Sequence, residues 1–390
     1  MRISYYSCVF MVALFFASCA AKHVSFIKKQ EIVYQTGFPV RDIYGVFYNT
    51  EDKTEYFYIA DMGEYKKLLF FTTDGEKKIE IPTDSVTSWR TSRGIVIKNL
   101  DTIVFVQSGN PSMGSDRIVF MDRNGNRWKK IELNSAIQAD ESNWNYWFYT
   151  RSNNSFWEQN VFFLKTGLVH KTVDSSILKT KNQELILKDI VPKTHKSHVL
   201  LKYNIENGQY QYALSNMWRI ICPDTNLYLL SIDFTLENNI LFVYSSYSGN
   251  VLYLLDKNTF QTKKKIEITS SYTDIGVPPC PLEDRIGMYY EENVPLHGWL
   301  SKIMYDKYNH FYYVVIRHGV EDPLLQDEAL FSIQVYDKKF NKLSEQVFDG
   351  KEYNHTDCLV CSKGLLIRHS SSRRDYSPTE VKYDLFEIKK

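Results

Sequence analysis

A short strand-like segment recurs six times along this chain of 390 residues, and this repetition constrains the fold more than any other feature. Each copy contains several apolar residues followed by one or two polar ones. The copies begin at or near Tyr58, Phe105, Phe163, Phe242, Val315 and Leu366. A strand precedes each copy and another follows it, and usually a tight turn and a further strand come next. Asp74-Gly75, Asn124-Gly125 and Asn207-Gly208 supply the residues that two-residue hairpin turns require.

Four antiparallel strands repeated in this way predict an all-β fold, namely a six-bladed β-propeller of four-stranded antiparallel blades. Aromatic residues make up 15% of the chain, which favours strands. The last copy ends in a strand with no partner after it. We therefore expect an N-terminal strand, residues 23–34, to pair there and close the ring. A seven-bladed ring, with a degenerate blade within 134–200, is the alternative.

The N-terminal residues have the features of an export signal. Arg2 precedes the apolar stretch 9–16, which is too short to span a bilayer. The stretch leads to Ala17-Ser18-Cys19, and small residues before a cysteine at this point resemble the bacterial lipobox. In such signals the cysteine is acylated and the peptide is cleaved just before it. We predict a lipoprotein signal peptide over 1–18 and lipid attachment at Cys19. An ordinary cleaved signal peptide or a transmembrane anchor is the alternative for this segment. Residues 19–390 are predicted to form a single propeller domain.

Four cysteines remain in the predicted mature chain. They are Cys222, Cys280, Cys358 and Cys361. The last two have the spacing of a redox or zinc motif, but no second pair completes a zinc site and no helix follows them. Buried thiols or one structural disulfide are therefore expected.

The lengths of the connections predict which face of the propeller carries function. The turns between first and second strands, and between third and fourth, are short and emerge on one face. The long connections all emerge on the other face, and they are 134–144, 168–197, 269–298, 319–330 and 370–380. Long loops on a rigid scaffold are where binding sites usually lie. We therefore predict a binding site on this long-loop face.

Several polar residues at or near that face are candidate ligand-binding residues. Arg317-His318 and Arg368-His369 end equivalent strands, and Asp61 occupies the corresponding position in an earlier repeat. The guanidinium groups of Arg317 and Arg368 could hold a carboxylate, phosphate or acidic sugar. The alternative is that the arginines satisfy carboxylates or carbonyl oxygens between blades.

Loop 269–298 supplies two further candidates, Arg285 and Tyr289. Tyrosine among mixed charges suits sugar stacking or protein contact. A charged, solvated loop that binds nothing is the alternative.

Catalytic signatures are missing from the sequence, so we predict no catalytic residue, no metal site and no cofactor. The formal net charge is +1 without a basic stripe, which argues against a nucleic-acid partner. The contrasting hypothesis is a metal-dependent, lactonase-like propeller hydrolase with its site in the central channel. Asp233 and Asp306 are the loose metal-ligand candidates for that hypothesis.

The lipobox followed by six irregular four-stranded repeats resembles the TolB-like six-bladed propeller lipoproteins of Bacteroidota, many of which are domains of unknown function. The resemblance rests on architecture and aromatic-rich strands. It implies a cell-envelope location and a binding or scaffold role.

Ala20-Ala21-Lys22 carries no acidic run after the lipid-bearing cysteine, which favours an outer-membrane lipoprotein facing the periplasm. The expected partners are the membrane, through the lipid, and an envelope protein, peptide or glycan; a structural subunit of an envelope complex is a weaker hypothesis.

Overall fold

The repeated segments fold as the second strands of antiparallel sheets in a computed structural model. It describes residues 24–38, 43–61, 65–85, 92–107, 117–132, 144–148, 155–158, 161–170, 200–213, 232–245, 249–278, 286–370 and 379–389. Within these residues the chain forms five four-stranded antiparallel sheets and one five-stranded sheet. We call the four-stranded sheets blades A to E.

In blades A to D, neighbouring strands along the chain pair with each other, whereas in blade E the N-terminal β1 pairs with the last strand, β25. Blade A contains β2 (Ile43–Asn49), β3 (Thr54–Asp61), β4 (Lys67–Thr72) and β5 (Lys77–Pro82). Blade B contains β6 (Ser92–Asn99), β7 (Thr102–Gln107), β8 (Arg117–Met121) and β9 (Arg127–Glu132). Blade C contains β15 (Ile232–Glu237), β16 (Ile240–Ser245), β17 (Val251–Asp256) and β18 (Thr262–Glu267). Blade D contains β19 (Trp299–Asp306), β20 (Phe311–Arg317), β21 (Phe331–Tyr336) and β22 (Lys342–Phe348). Blade E contains β23 (Tyr353–Cys361), β24 (Gly364–His369), β25 (Glu380–Lys389) and β1 (Ser25–Gln35).

The remaining sheet is irregular. It contains β10 (Trp144–Phe148), β11 (Ser155–Glu158), β12 (Val161–His170), β13 (Leu200–Asn204) and β14 (Tyr210–Ala213). Both β10 and β11 pair with β12, one toward each end of this ten-residue strand. The prediction of six equivalent blades, and the alternative of seven, is therefore corrected: the described residues form five regular blades and this sheet. Two short strands share one long partner here, and the apolar pattern of the sequence does not reveal such a split.

Hydrophobic clusters fill the spaces between neighbouring sheets. Successive side chains of a strand point to opposite faces, so Tyr313 of β20 packs toward blade E while Tyr312 packs toward blade C. In the irregular sheet, Leu200 packs against blade C and Leu201 against blade B. The sheets therefore follow one another around a ring. The fold is an all-β propeller built from four-stranded antiparallel blades.

The N-terminal strand pairs where the sequence predicted it. β1 runs antiparallel to β25, with Ser25 opposite Lys389 and Gln35 opposite Glu380. The fully buried ring of Tyr34 stacks on Phe57 of blade A with 4.0 Å between ring centroids. Near the other end of the strand, Phe26 contacts Phe348 of blade D edge-on. β1 therefore joins blade E to the blades on both of its sides.

The short turns between first and second strands meet on one side of the ring. Glu55, at the start of β3, accepts hydrogen bonds from the Tyr308 hydroxyl at 2.5 Å and from the backbone and hydroxyl of Ser362 at 2.7 Å. These residues belong to the corresponding turns of blades A, D and E. The side of the ring that they share is called the short-turn face.

Two helices lie in the described parts of the long connections. They are α1 (Ile286–Asn293) and a 3₁₀ helix (Pro323–Glu328). No helix in the described part of the chain has the length and apolar character needed to cross a membrane. The predicted signal peptide 1–18, Cys19, Arg285, Cys222 and Cys280 lie outside the described residues.

Candidate functional site

Two of the long connections pack directly against each other beside blade D. They are the crossing 269–298, which joins blade C to blade D, and loop 319–330, which joins β20 to β21. The backbone N–H of Val320 donates to the carbonyl of Pro295 at 2.9 Å. A Cβ at position 319 would overlap the carbonyl oxygen of Leu296, so glycine is required for this close approach. We call the two loops together the platform.

Arg317 holds the platform together from below. Its guanidinium donates to the carbonyl oxygens of Pro295 at 2.8 Å and His297 at 3.3 Å in the crossing, and of Gln326 at 3.2 Å in the other loop. The guanidinium also lies 4.2 Å from the ring centroid of Trp299. Only 1% of Arg317 is exposed. Its donors therefore serve the carbonyl oxygens of two loops, as the alternative interpretation held, and its role in ligand binding stays a prediction.

Glu345 of β22 fixes the start of the crossing. Its carboxylate accepts hydrogen bonds from the hydroxyls of Ser270 at 2.6 Å and Ser332 at 2.9 Å, and it pairs with Lys342 at 2.6 Å. Burial raises the pKa of Glu345, but these donors outweigh burial and bring the pKa to about 2. The carboxylate is therefore ionised at neutral pH, and Ser270 is held against the blade.

His318 lies under the platform. Its backbone N–H donates to the carbonyl of Leu330 at 2.8 Å. Its ring stacks on Tyr272 with 6.1 Å between centroids and an interplanar angle of 14°. Burial lowers the pKa of His318, Glu345 opposes this and Arg317 adds to it, so the imidazole is neutral at pH 7. A neutral, buried ring here supports the exposed ring of Tyr272.

The outer surface of the platform is apolar. Asp322 caps the start of the 3₁₀ helix, and its carboxylate accepts the backbone N–H of Leu324 at 2.9 Å. The helix buries none of its side chains. Leu324 is 89% exposed, the largest exposed fraction among the large apolar side chains of the described residues. The exposed leucines among the described residues all belong to this surface, which consists of Tyr272, Leu296, Leu324, Leu325 and Leu330. A group of exposed apolar side chains on ordered loops is typical of an interaction surface.

The platform is also acidic. Loops 269–298 and 319–330 carry nine Asp or Glu residues and one basic residue, Arg285. The exposed acidic residues in their described parts are Asp274, Glu291, Glu292, Glu321, Asp322 and Asp327. Glu328 pairs with Lys351 of the neighbouring connection at 3.6 Å. The described parts of the two loops therefore expose acidic residues as well as the leucines.

The other predicted site residues lie apart from this surface or beneath it. Tyr289 is half-buried in α1, where its carbonyl accepts the side-chain N–H of Asn293 at 2.8 Å. Asp61 is buried and accepts the backbone N–H groups of Tyr65 and Lys66, which closes its own loop. For both residues, ligand binding stays a prediction.

Arg368 and His369 diverge although they are neighbours in sequence. Arg368 pairs with Asp357 of β23 at 3.2 Å, and both side chains are buried. The contact lies within blade E and not between blades as the alternative interpretation proposed, and ligand binding by Arg368 stays a prediction. His369 instead lies near Asp384 of β25 and Glu31 of β1. The two Arg-His pairs of the sequence therefore do not form one site.

Cys358 and Cys361 have free, buried thiols. Burial raises the pKa of both thiols to about 12. They are protonated at neutral pH and pack in the protein core, which is one of the two outcomes that the sequence predicted for them.

Asp233 and Asp306, the candidate metal ligands in the first strands of blades C and D, have partners within the protein. The carboxylate of Asp306 accepts the backbone N–H groups of Tyr308 and Asn309, together with the hydroxyl of Tyr313 at 2.7 Å. This carboxylate stabilises the turn after β19 and is not directed at a shared ligand. Burial raises the pKa of the Tyr244 hydroxyl far above its usual value, and the negative charge of Asp233 adds to this effect.

Sequence reasoning identified both platform loops but missed the side chains that form their outer surface. Asp322-Pro323 marks a helix start, and Leu324-Leu325 follows it directly. A leucine pair in a short loop would ordinarily be assigned to the core. Its exposure follows from the packing of the two loops, which sequence does not show.

The ring of blades and the exposed platform define a β-propeller that presents long, packed loops on one side. A crystal structure of a member of the DUF4221 family from Bacteroides vulgatus has this fold, with a TM-score of 0.68, 14% identical residues, and coverage of 95% of this chain and 99% of that one. No protein-family model matches this chain. No curated protein matches it either. At 14% identity the likeness shows the fold alone.

Two more distant solved structures are similar over much of their length. A protein of unknown function from Bacteroides caccae gives a TM-score of 0.39 with 10% identity, over 79% of this chain and 81% of that one. The WD40 domain of Neurospora crassa Pan2 gives a TM-score of 0.40 with 8% identity, over 93% and 96%.

Proposed function

We propose that this chain is a lipid-anchored cell-envelope propeller that binds a protein partner through the platform, and that the partner presents a basic segment with apolar side chains. The observation that supports this most strongly is the exposed apolar surface of Leu324 and its neighbours on loops that Arg317 holds in place. Apolar anchors at the centre of an interface supply most of its affinity. Acidic residues on the same loops select a partner of opposite charge and speed its association.

The position of β1 suggests how the anchor and the platform are arranged. Ser25 pairs with Lys389 at the place where the other blades have the turn between third and fourth strands. That turn emerges on the short-turn face. A lipid on Cys19 would therefore hold this face toward the membrane and direct the platform away from it. This arrangement suits an outer-membrane lipoprotein that faces the periplasm and recruits a partner there.

The irregular sheet has a structural role in the same proposal. It packs against blade B through Leu201 and against blade C through Leu200. We propose that it occupies the space between blades B and C and completes the ring with the five regular blades. The ring would then be a rigid disc that keeps the platform and the lipid on opposite faces.

Site-specific photocrosslinking in cells tests the binding proposal. A photoreactive residue replaces Leu324, and in a matched strain it replaces Asn258 in an exposed turn of blade C on the short-turn face. We expect one discrete protein adduct from position 324 that position 258 does not give, and we expect Leu325→Glu to abolish it. No adduct from position 324, or the same adducts from both positions, would contradict the proposal.

Metabolic labelling with an alkyne fatty acid tests the anchor separately. The wild-type protein should carry the label, whereas Cys19→Ala should not and should leave the membrane fraction. An unlabelled wild-type protein, or equal labelling of both, would rule out lipidation at Cys19.

A further inference from the structure

Three side chains from three different strands converge on blade E. His369 lies at the end of β24, Asp384 lies in β25, and Glu31 lies opposite Asp384 in β1. Nε2 of His369 is 3.2 Å from Oδ1 of Asp384 and 3.8 Å from Oε2 of Glu31. All three ligand atoms lie within 4.8 Å of one another.

The two oxygens of Asp384 have different surroundings. Oδ2 accepts the Tyr353 hydroxyl at 2.6 Å and pairs with the Lys28 ammonium. Oδ1 is buried and faces Nε2 of His369, which hydrogen-bonds to Asp384. Asp384 itself is fully buried. One carboxylate oxygen is thus held in place by two donors, while the other is directed at the imidazole and at Glu31.

The charges around this point do not balance. Lys28 contacts Asp384 and lies 3.9 Å from Glu352, and Glu31 also acts on it. Three carboxylates thus lie around one ammonium, beside the imidazole of His369. A divalent cation bound here would offset the excess of negative charge.

We propose that Glu31, His369 and Asp384 bind a divalent transition-metal ion through one imidazole nitrogen and two carboxylate oxygens. Ligand atoms around tetrahedral zinc lie about 3.4 Å apart, given bonds of about 2.0–2.1 Å, and the two distances from Nε2 bracket this value. Glu31 is nearly half exposed and can move the remaining distance. Tyr353 and Lys28 orient Asp384 in the way that outer hydrogen bonds orient metal-binding carboxylates.

The metal would connect the N-terminal strand to the rest of blade E. Its ligands come from β1, β25 and β24, so it would join these strands through side chains in addition to their backbone hydrogen bonds. Under the lipoprotein proposal β1 also leads to the membrane anchor, but the metal site does not depend on that proposal.

Zinc binding by the purified full-length protein tests this inference. After treatment with EDTA and desalting, the wild-type protein is titrated with Zn²⁺ by calorimetry and its melting temperature is recorded with and without the ion. The variants are Glu31→Gln and His369→Gln, with Glu387→Gln as the matched control. Glu387 pairs with Lys29 on the same two strands, outside the cluster.

We expect one zinc ion per chain, a rise in melting temperature that EDTA reverses, and at least tenfold weaker binding in both cluster variants but not in the control. Glu31 is an exposed residue, so its substitution should leave the fold intact, and circular dichroism checks this. Absence of zinc binding by the wild-type protein would overturn the inference. Equal binding by wild type and both cluster variants would also overturn it, because the zinc would then lie elsewhere.

Discussion

At the scale of single residues, the polar groups that stand out in the sequence stabilise the structure. Arg317 and Arg368 were candidates because guanidinium groups in equivalent positions suggest a ligand site. The structure places Arg317 under three carbonyl oxygens and Arg368 beside Asp357, and ligand binding by either residue stays a prediction. Sequence identified these positions as unusual, but it could not show whether their partners come from the protein or from a ligand.

Replacing Arg317 tests its role in holding the platform. Arg317→Gln removes charged donors and leaves buried carbonyl oxygens without partners, so we expect the free energy of unfolding to fall by about 3 kcal/mol. Urea denaturation measures the change. Arg123→Gln is the matched control, because Arg123 pairs with Asp101 and Glu51 on the surface, and its loss should change stability far less. Equal losses in the two variants would contradict a special role for Arg317.

The environment of Glu237 leads us to predict that the stability of the protein depends on pH. Glu237 ends the first strand of blade C, near Lys302 of blade D, which donates to the carbonyl of Cys358 at 2.7 Å. Burial raises the pKa of Glu237 from its ordinary 4.5 to about 8, despite the opposing effects of Lys302 and a backbone hydrogen bond. The folded state therefore holds a proton that the unfolded chain releases above pH 4.5, so stability falls as pH rises from about 4.5 to 8.

Glu237→Gln removes this effect. At pH 7 the variant should be more stable than wild type by up to about 3 kcal/mol, since each pKa unit corresponds to about 1.4 kcal/mol. Below pH 4.5 the two proteins should be equally stable. Urea denaturation at pH 4.5 and pH 7 measures both differences. A difference that is the same at both pH values would show that Glu237 is ionised in the folded protein.

At the scale of elements, the sequence predicted most strands and the closure of the ring but not the irregular sheet. The second strands were identifiable because apolar runs end in polar residues and Gly-containing turns follow. The pairing of β1 was predictable because the last repeat lacked a partner. The division between β10 and β11 was not, since pairing of two short strands with β12 depends on tertiary packing.

Replacing Tyr34 tests how much β1 contributes to the stability of the closed ring. The aromatic ring of Tyr34 is fully buried against Phe57 and Tyr383, so Tyr34→Ala should lower the free energy of unfolding by about 3–5 kcal/mol. Its hydroxyl has no hydrogen-bond partner among the described residues. Tyr34→Phe should therefore be neutral or slightly stabilising, which makes it the matched control in the same urea experiment. A small loss in the alanine variant would show that β1 contributes little to closure.

At the scale of the whole molecule, the two faces of the ring have different character. Short turns meet around Glu55 on one face, while the crossing 269–298 and loop 319–330 pack together beside blade D. The sequence predicted that long loops share a face, because strand order and loop length determine it. It did not predict the exposed leucines, because their exposure depends on how Arg317 and Gly319 bring the loops together.

The most direct measurement for the platform is the dissociation constant of the crosslinked partner, once purified, for wild type and for the double variant Leu324→Ser/Leu325→Ser. Loss of two apolar contacts of this size should weaken binding at least tenfold, which corresponds to about 1.4 kcal/mol or more. Binding by wild type should also weaken as salt rises from about 50 to 500 mM, since the same loops expose acidic residues as well as the leucines. An unchanged dissociation constant in the double variant would show that the platform does not bind the partner.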